Sequence, residues 1–136
     1  MVSHLPFKWS IRIYFEDTDS GGVVYHSNYL KFMERARTEW LRSLQLNQAD
    51  LKKKDKIMFV VANVNIDYKK AARFNDELDI ETSINKIGAS RVDLTQNIMK
   101  NSELYTSAKV SIACIHSETF KPQRIPKLIK QQMEIL

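Results

Sequence analysis

Apolar and polar residues alternate with a period of two in five stretches of the chain, residues 9–17, 58–68, 77–87, 91–99 and 104–116. In the first stretch one face carries the apolar side chains Trp9, Ile11, Ile13 and Phe15. A period of two is typical of β-strands, whose side chains point alternately to the two faces of a sheet. The chain is therefore predicted to contain five strands.

Residues 29–44 follow a different pattern, in which apolar side chains recur every three or four positions: Tyr29, Leu30, Met33, Ala36, Trp40, Leu41 and Leu44. This spacing predicts an amphipathic α-helix. The predicted order is one strand, one long helix and then four strands joined by short breaks, which favours an antiparallel sheet. The helix can bury its apolar side only against the apolar face of that sheet. The pattern thus predicts an α+β fold.

Length and composition fit one domain spanning residues 1–136, because a chain of 136 residues buries about two thirds of its unfolded surface. Cys114, the single cysteine, cannot form an internal disulfide, and its place in an alternating stretch predicts burial. No apolar run approaches the roughly 20 residues of a membrane span. The N-terminus MVSHLPFKWS lacks the apolar centre of a secretion signal, so we expect a cytoplasmic protein.

Candidate chemistry is concentrated between the first strand and the helix, in residues 16–37, EDTDSGGVVYHSNYLKFMERAR. Gly21 and Gly22 allow backbone conformations that other residues adopt only at a cost, which predicts a turn. Ser27 and Asn28 are residue types that cap helix N-termini. The unpaired N–H groups at a helix start can polarise a carbonyl oxygen while an aspartate acts beside it.

An acidic glycine loop of this kind has three other interpretations. An EF-hand calcium loop starting at Asp17 would find its glycine in Gly22, but Gly21 and Asn28 stand where oxygen ligands are needed. A phosphatase-like pair of aspartates would require strands alternating with helices, which the chain lacks. The third interpretation is a loop whose acids only cap the helix.

The run EDTDSGGVVYHSNYLKFMERARTEWL resembles the signature of hot-dog-fold acyl-CoA thioesterases. More narrowly, it resembles the Tol-Pal-associated subfamily of the 4-hydroxybenzoyl-CoA thioesterase-like group. Residues 64–80, VNIDYKKAARFNDELDI, are similar to the second-strand segment of that family. The resemblance covers nearly the whole chain. It implies a hot-dog fold, in which a curved antiparallel sheet of about five strands wraps around one central helix.

The resemblance also implies an activity, the hydrolysis of acyl-CoA to a free acid and coenzyme A. No metal or other cofactor is expected, since coenzyme A is part of the substrate. Asp19 is implied as the catalytic carboxylate, acting either as nucleophile or as general base for water. The backbone N–H of His26 is implied as the group that polarises the carbonyl. The His26 side chain is a second catalytic candidate, because imidazole titrates near neutrality.

Five substrate-binding residues are predicted on the same basis. Tyr25 and Asn28 lie between the loop and the helix, where side chains can line an acyl pocket. Lys69, Arg73 and Arg91 lie near predicted strand ends, where members of the family bind the nucleotide portion of coenzyme A.

The net charge of +5 and the pI near 9.3 indicate anionic partners. Nucleic acid is not expected, since the motifs of nucleic-acid-binding modules are missing. Coenzyme A, an acidic acyl carrier protein and a membrane surface remain as candidates. The resemblance implies a homodimer or homotetramer with active sites at a subunit interface. It also implies peripheral association with the inner membrane.

Two other functions keep the same fold. A non-catalytic acyl-binding or scaffold protein would act with acyl carrier protein and lipid-synthesis enzymes. A hydratase or dehydratase would rely on a differently placed pair of a histidine and an acid, which is not found in the chain.

Arg37 falls within the apolar stripe of the predicted helix, where an unpaired guanidinium is costly. We expect it to form an ion pair with Glu34, with an acid of the loop or with an acid of a second subunit.

Overall fold

The computed structural model describes residues 6–134 of the chain. Residues 1–5 and 135–136 lie outside the described residues. The expectation that the N-terminus is not a secretion signal falls partly on the first of these segments. The described strands are β1 (Phe7–Arg12), β2 (Ile57–Tyr68), β3 (Glu77–Ile87), β4 (Arg91–Lys100) and β5 (Glu103–His116). The helices are α1 (His26–Ser43), α2 (Gln48–Asp50) and α3 (Lys127–Glu134), with a π-helical turn at Leu51–Asp55.

The five strands form one antiparallel sheet in the order β1-β3-β4-β5-β2. Strands β3, β4 and β5 are consecutive neighbours, as predicted for strands joined by short breaks. Among the described strands, β2 pairs only with β5 and β1 only with β3, so each forms an edge of the sheet. The α+β prediction, with five strands and one long helix, is confirmed.

The core lies between α1 and the sheet. Helix α1 buries Tyr29, Phe32, Met33, Ala36, Trp40 and Leu41. The sheet contributes the even-numbered residues of its three central strands, including Leu78, Ile80, Leu94, Ile98, Val110 and Ile112. Cys114 also lies in this layer, and burial raises the pKa of its thiol to about 11. The thiol is therefore protonated at neutral pH, and burial removes it from any nucleophilic role.

The first strand is shorter than its sequence pattern predicts. Strand β1 ends at Arg12, and Phe15–Asp17 form a 3₁₀ turn instead of continuing the strand. The Asp17 carboxylate accepts a hydrogen bond from the Tyr14 N–H at 2.8 Å, which closes this turn. The prediction that Phe15 shares the apolar face was wrong, since its side chain is 78% exposed.

Within residues 6–134, no helix is long and apolar enough to cross a membrane.

Candidate active site

Asp19 lies in a tight hairpin between the 3₁₀ turn and α1. Its N–H donates to the carbonyl of Val23 at 2.8 Å, and the Gly22 N–H donates back to the Asp19 carbonyl at 3.0 Å. Gly22 has a φ of +79°, a conformation that residues with a Cβ rarely adopt. The predicted turn at the glycines is confirmed, and Gly22 supplies the conformation that closes it.

The Asp19 carboxylate is half-buried and is held by the loop through one oxygen. Its Oδ1 accepts from the Gly21 N–H at 2.8 Å and from the Val23 N–H at 3.4 Å. A Cβ on Gly21 would lie 3.2 Å from this oxygen, so glycine permits the close approach. The other oxygen, Oδ2, forms no hydrogen bond with any of residues 6–134. One oxygen of Asp19 is thus fixed, and the other is left for chemistry.

Asp17 and Asn28 tie the loop to the start of α1. The Asp17 carbonyl accepts from the Tyr25 N–H at 3.1 Å and from the buried Asn28 side-chain amide at 2.9 Å. The sequence placed the cap at Ser27 or Asn28, and this was wrong, because Tyr25 occupies the N-cap and makes no side-chain capping bond. Asn28 reaches back to the loop from inside the helix instead. Its predicted contact with substrate stays a prediction.

His26 is the first residue of α1, and its N–H has no intrahelical acceptor. No acceptor elsewhere in residues 6–134 bonds this N–H. The group therefore remains available at the positive end of the helix dipole. It can donate to a carbonyl oxygen of a ligand, as the role predicted for it requires.

The His26 ring stacks on Tyr68 at the end of β2. The ring centroids are 4.7 Å apart with 24° between the planes, and the Tyr68 hydroxyl donates to the His26 carbonyl at 3.3 Å. Tyr68 also contacts Tyr29, and the centroids of these two rings are 5.5 Å apart. The Tyr29 hydroxyl accepts from the Ala72 N–H at 3.0 Å, and burial raises the pKa of this phenol. Three rings thus form one wall beside the helix start.

A pocket of about 230 Å³ opens beside this wall, and its lining includes Val23, Val24, His26, Tyr29, Tyr68 and Lys69. Sequence reasoning missed Tyr29 and Tyr68 as site residues. Tyr29 was missed because its position in the apolar stripe of the helix also suits an ordinary core residue. Tyr68 stands in the second family-like segment, which was the signal that could have found it. Tyr25 is 60% exposed and does not line this pocket in a single chain.

The predicted nucleotide-binding residues do not come together within one chain. Lys69 lines the pocket, although its ammonium also bonds Asp67 at 2.9 Å, and Arg73 pairs through its backbone with Val23. Arg91 lies toward the opposite end of the sheet. In the sheet, Tyr68 lies opposite Thr106 of β5, and Arg91 lies opposite Ala113 of the same strand. Thr106 and Ala113 are seven residues apart, which corresponds to about 23 Å along the strand.

Arg91 lines a second depression, which has a volume of about 370 Å³ and lies at the turn between β3 and β4. Its lining also includes Lys86, Ser90 and Ser111. One chain therefore presents two separate basic regions, one beside the pocket and one at the far end of the sheet.

Arg37 pairs neither with Glu34 nor with an acid of the loop, and its pairing with an acid of a second subunit stays a prediction. Its guanidinium donates to the side-chain oxygen of Gln96 at 2.9 Å, and within residues 6–134 it forms no salt bridge. Gln96 is fully buried and donates in turn to the Met33 carbonyl and the Thr82 hydroxyl, both at 3.0 Å. Burial lowers the pKa of Arg37, and Glu34 raises it by a smaller amount. Within one chain, the hydrogen-bond acceptor of Arg37 is therefore a neutral amide from the sheet.

No group of three His, Cys, Asp or Glu residues that could hold a metal ion occurs within the described part of the chain. The expectation of a cofactor-free reaction stays a prediction.

Known proteins resemble this chain over most of its length. Residues 13–133 match the model of the thioesterase-like superfamily. The acyl-CoA thioesterase YbgC of Haemophilus influenzae is 41% identical over 124 residues, covering 91% of each chain. The acyl-CoA thioester hydrolase YbgC of Escherichia coli O6:H1 is 40% identical, covering 90% of this chain and 92% of its own.

A solved structure shows the same fold. The probable thioesterase of Bartonella henselae superposes with a TM-score of 0.85 at 36% identity, covering 89% of this chain and 99% of its own. The fold described above is thus shared with a solved relative.

Proposed function

This chain belongs to the thioesterase-like superfamily and has the hot-dog fold, and on that premise we propose that it hydrolyses acyl-CoA thioesters to a free carboxylic acid and coenzyme A. The observation that carries the proposal is the hairpin that holds Asp19 by one oxygen beside a helix start with an open N–H. Relatives at about 40% identity bear the name acyl-CoA thioesterase or thioester hydrolase, which supports the same reaction.

The reaction needs a polarised carbonyl and an attacking oxygen. The His26 N–H donates to the thioester carbonyl oxygen, where negative charge develops during attack. Asp19 either attacks the carbonyl carbon itself or takes a proton from the attacking water. The carbon–sulfur bond then breaks and coenzyme A leaves as thiolate, which needs little acid assistance because a thiol has a pKa of about 8.5. If Asp19 attacks, water cleaves the resulting anhydride and restores the carboxylate.

A homodimer formed through the open edge of β2 completes the proposed site. Antiparallel pairing of two β2 strands places the Tyr68 end of one strand beside the Ile57 end of the other. In each chain Val60 of β2 lies level with Ala113 of β5, which is level with Arg91 of β4. Such pairing therefore brings the basic region of one protomer toward the pocket of its partner. It joins the two regions that one chain keeps about 23 Å apart.

Several finer parts of the proposal go beyond this chemistry. We propose a cytoplasmic location with peripheral association at the inner membrane and a link to the Tol-Pal system. Acyl carrier protein is proposed as a second carrier of the acyl group. The non-catalytic scaffold is not favoured, because the relatives are named as hydrolases.

The test is thiol release from a panel of short-chain, long-chain and aromatic acyl-CoA thioesters by the native protein and by Asp19→Asn. The asparagine keeps the Oδ1 acceptor that bonds Gly21 and Val23, so the loop is expected to keep its shape. It removes the negative charge and the basicity. We expect turnover of at least one thioester by the native protein and a loss of about 100-fold or more in the variant.

Circular dichroism and thermal unfolding of both proteins provide the control for folding. Equal turnover by the two proteins would contradict the role of Asp19. Failure of the native protein on every acyl-CoA and on acylated carrier protein would contradict the reaction itself.

A further inference from the structure

Nearly all of the net positive charge lies in two segments, residues 45–56 and 117–134, which we call the basic end. These segments contain eight Lys and Arg residues against four Asp and Glu residues, a net charge of +4 out of the +5 of the whole chain. The basic residues are Lys52, Lys53, Lys54, Lys56, Lys121, Arg124, Lys127 and Lys130. The rest of the molecule is close to neutral.

The fold brings the two segments to the same end of the molecule. The Ser117 N–H donates to the Lys56 carbonyl at 2.8 Å, and its hydroxyl donates to the Lys52 carbonyl at 3.4 Å. In α3, Gln132 donates to the carbonyl of Leu44 at the C-terminal end of α1 at 2.8 Å. Helix α1 has 18 residues and spans about 27 Å, so this end lies far from His26 of the same chain.

The acids of the same two segments offset only half of the positive charge of the basic end. Within residues 6–134, none of the eight forms a salt bridge, whereas Lys8, Arg12, Arg42, Lys69, Lys70 and Lys100 each do. Seven of the eight side chains are exposed, and Lys130 is half-buried. Three exposed lysines follow one another on the π-helical turn, Lys52, Lys53 and Lys54. Like charges this close repel each other and favour an anionic partner.

Two large apolar side chains project from the same end. Phe120 is 65% exposed and Leu128 is 76% exposed. Phe120 has a φ of +61°, which is uncommon for a bulky residue and costs conformational energy. The turn is closed by the Phe120 N–H, which donates to the His116 carbonyl at 2.9 Å. The chain thus keeps an aromatic ring in solvent, next to Lys121, in a conformation that asparagine would adopt more easily.

We propose that the basic end docks the protein on a bilayer surface that carries anionic lipid headgroups. Unpaired cations attract such a surface, and exposed aromatic and aliphatic side chains insert at the level of the headgroups. A nucleotide or phosphate alone would not account for the exposed Phe120 and Leu128. The inference names the surface for the proposed peripheral association and does not depend on thioester hydrolysis.

The test is co-sedimentation of the full chain with vesicles of phosphatidylglycerol and of phosphatidylcholine, at low and at high salt, without acyl-CoA. We expect binding to the anionic vesicles that weakens as salt rises. The triple variant Lys52→Gln, Lys53→Gln, Lys54→Gln is expected to lower the partition coefficient by about 100-fold, at about fivefold for each lysine. The matched control Lys8→Gln, Lys31→Gln, Lys109→Gln removes the same charge from exposed positions elsewhere and is expected to bind like the native protein.

A second variant separates docking from folding. Phe120→Asn removes the ring and suits the left-handed conformation, so it is expected to raise the Tm by about 2–5 °C while weakening vesicle binding.

Three results would overturn the inference. The first is equal binding to both vesicle types, and the second is equal losses in the basic-end and control variants. The third is binding of an acidic carrier protein, but not of vesicles, through the same lysines. Hydrolysis of a short-chain acyl-CoA by the native protein, measured without vesicles, tests the proposed activity separately.

Discussion

Arg37 lies in the helix–sheet interface, where a neutral amide and not a carboxylate accepts its hydrogen bond. The hydrogen bond from its guanidinium to Gln96 compensates in part for the lost hydration, and Gln96 is itself held by Met33 and Thr82. Helical spacing located Arg37 in the apolar stripe, but its partner lies 59 positions further along the chain. No local pattern predicts that contact, because it depends on where the helix crosses the sheet.

A double-mutant cycle tests this pairing. Arg37→Met leaves the buried Gln96 oxygen without its donor, and Gln96→Leu leaves the guanidinium without its acceptor. Since each single change strands a polar group, we expect a coupling of about 1.5–3 kcal/mol in the free energy of unfolding, measured by urea denaturation. Losses that add within about 0.5 kcal/mol would show that the two side chains act independently.

The start of α1 and the end of β2 meet at the candidate site, and both elements contribute groups to it. The helix supplies the open N–H and the His26 ring, and the strand supplies Tyr68, against which that ring stacks. The sequence predicted both elements and offered His26 as a candidate site residue. It did not predict the stack, since the two residues are 42 positions apart.

We expect Tyr68→Leu to lower kcat/KM about tenfold or more, because the His26 ring loses the surface that orients it. Tyr68→Phe keeps the stack and loses only an exposed hydrogen bond of 3.3 Å, so its kcat/KM is expected to stay within about twofold of the native value. Steady-state kinetics of thiol release with both variants measures the difference. Equal losses in the two variants would assign the effect to the hydroxyl instead of the ring.

At the scale of the whole molecule, the open edge of β2 is the feature that a single chain leaves incomplete. Its residues 61–65 are all exposed, including Val61 and Val64. A strand with one open edge and exposed valines is a template for pairing with a second copy. A second reason to expect a partner subunit is that Arg91 lies far from the pocket of its own chain.

Val64→Lys places a charge on this edge and is expected to dissociate the proposed homodimer into monomers with little thiol-release activity. Sedimentation equilibrium measures the mass, and Asn85→Lys, an exposed position on the interior strand β3, is the control. A native protein that sediments as a monomer and retains full activity would contradict the proposed interface.

The sequence by itself determined the order of elements, the α+β class and the glycine turn after the first strand, because period, glycines and helix spacing are local properties of the chain. The catalytic role of Asp19 in that turn stays a prediction. Tertiary structure decided the rest. It ended β1 at Arg12, moved the helix cap to Tyr25, gave Arg37 an amide partner and stacked Tyr68 on His26. It also gathered the scattered lysines at one end and kept Arg91 away from the pocket. These outcomes depend on contacts between residues far apart in sequence, which only the packing of the helix on the sheet brings together.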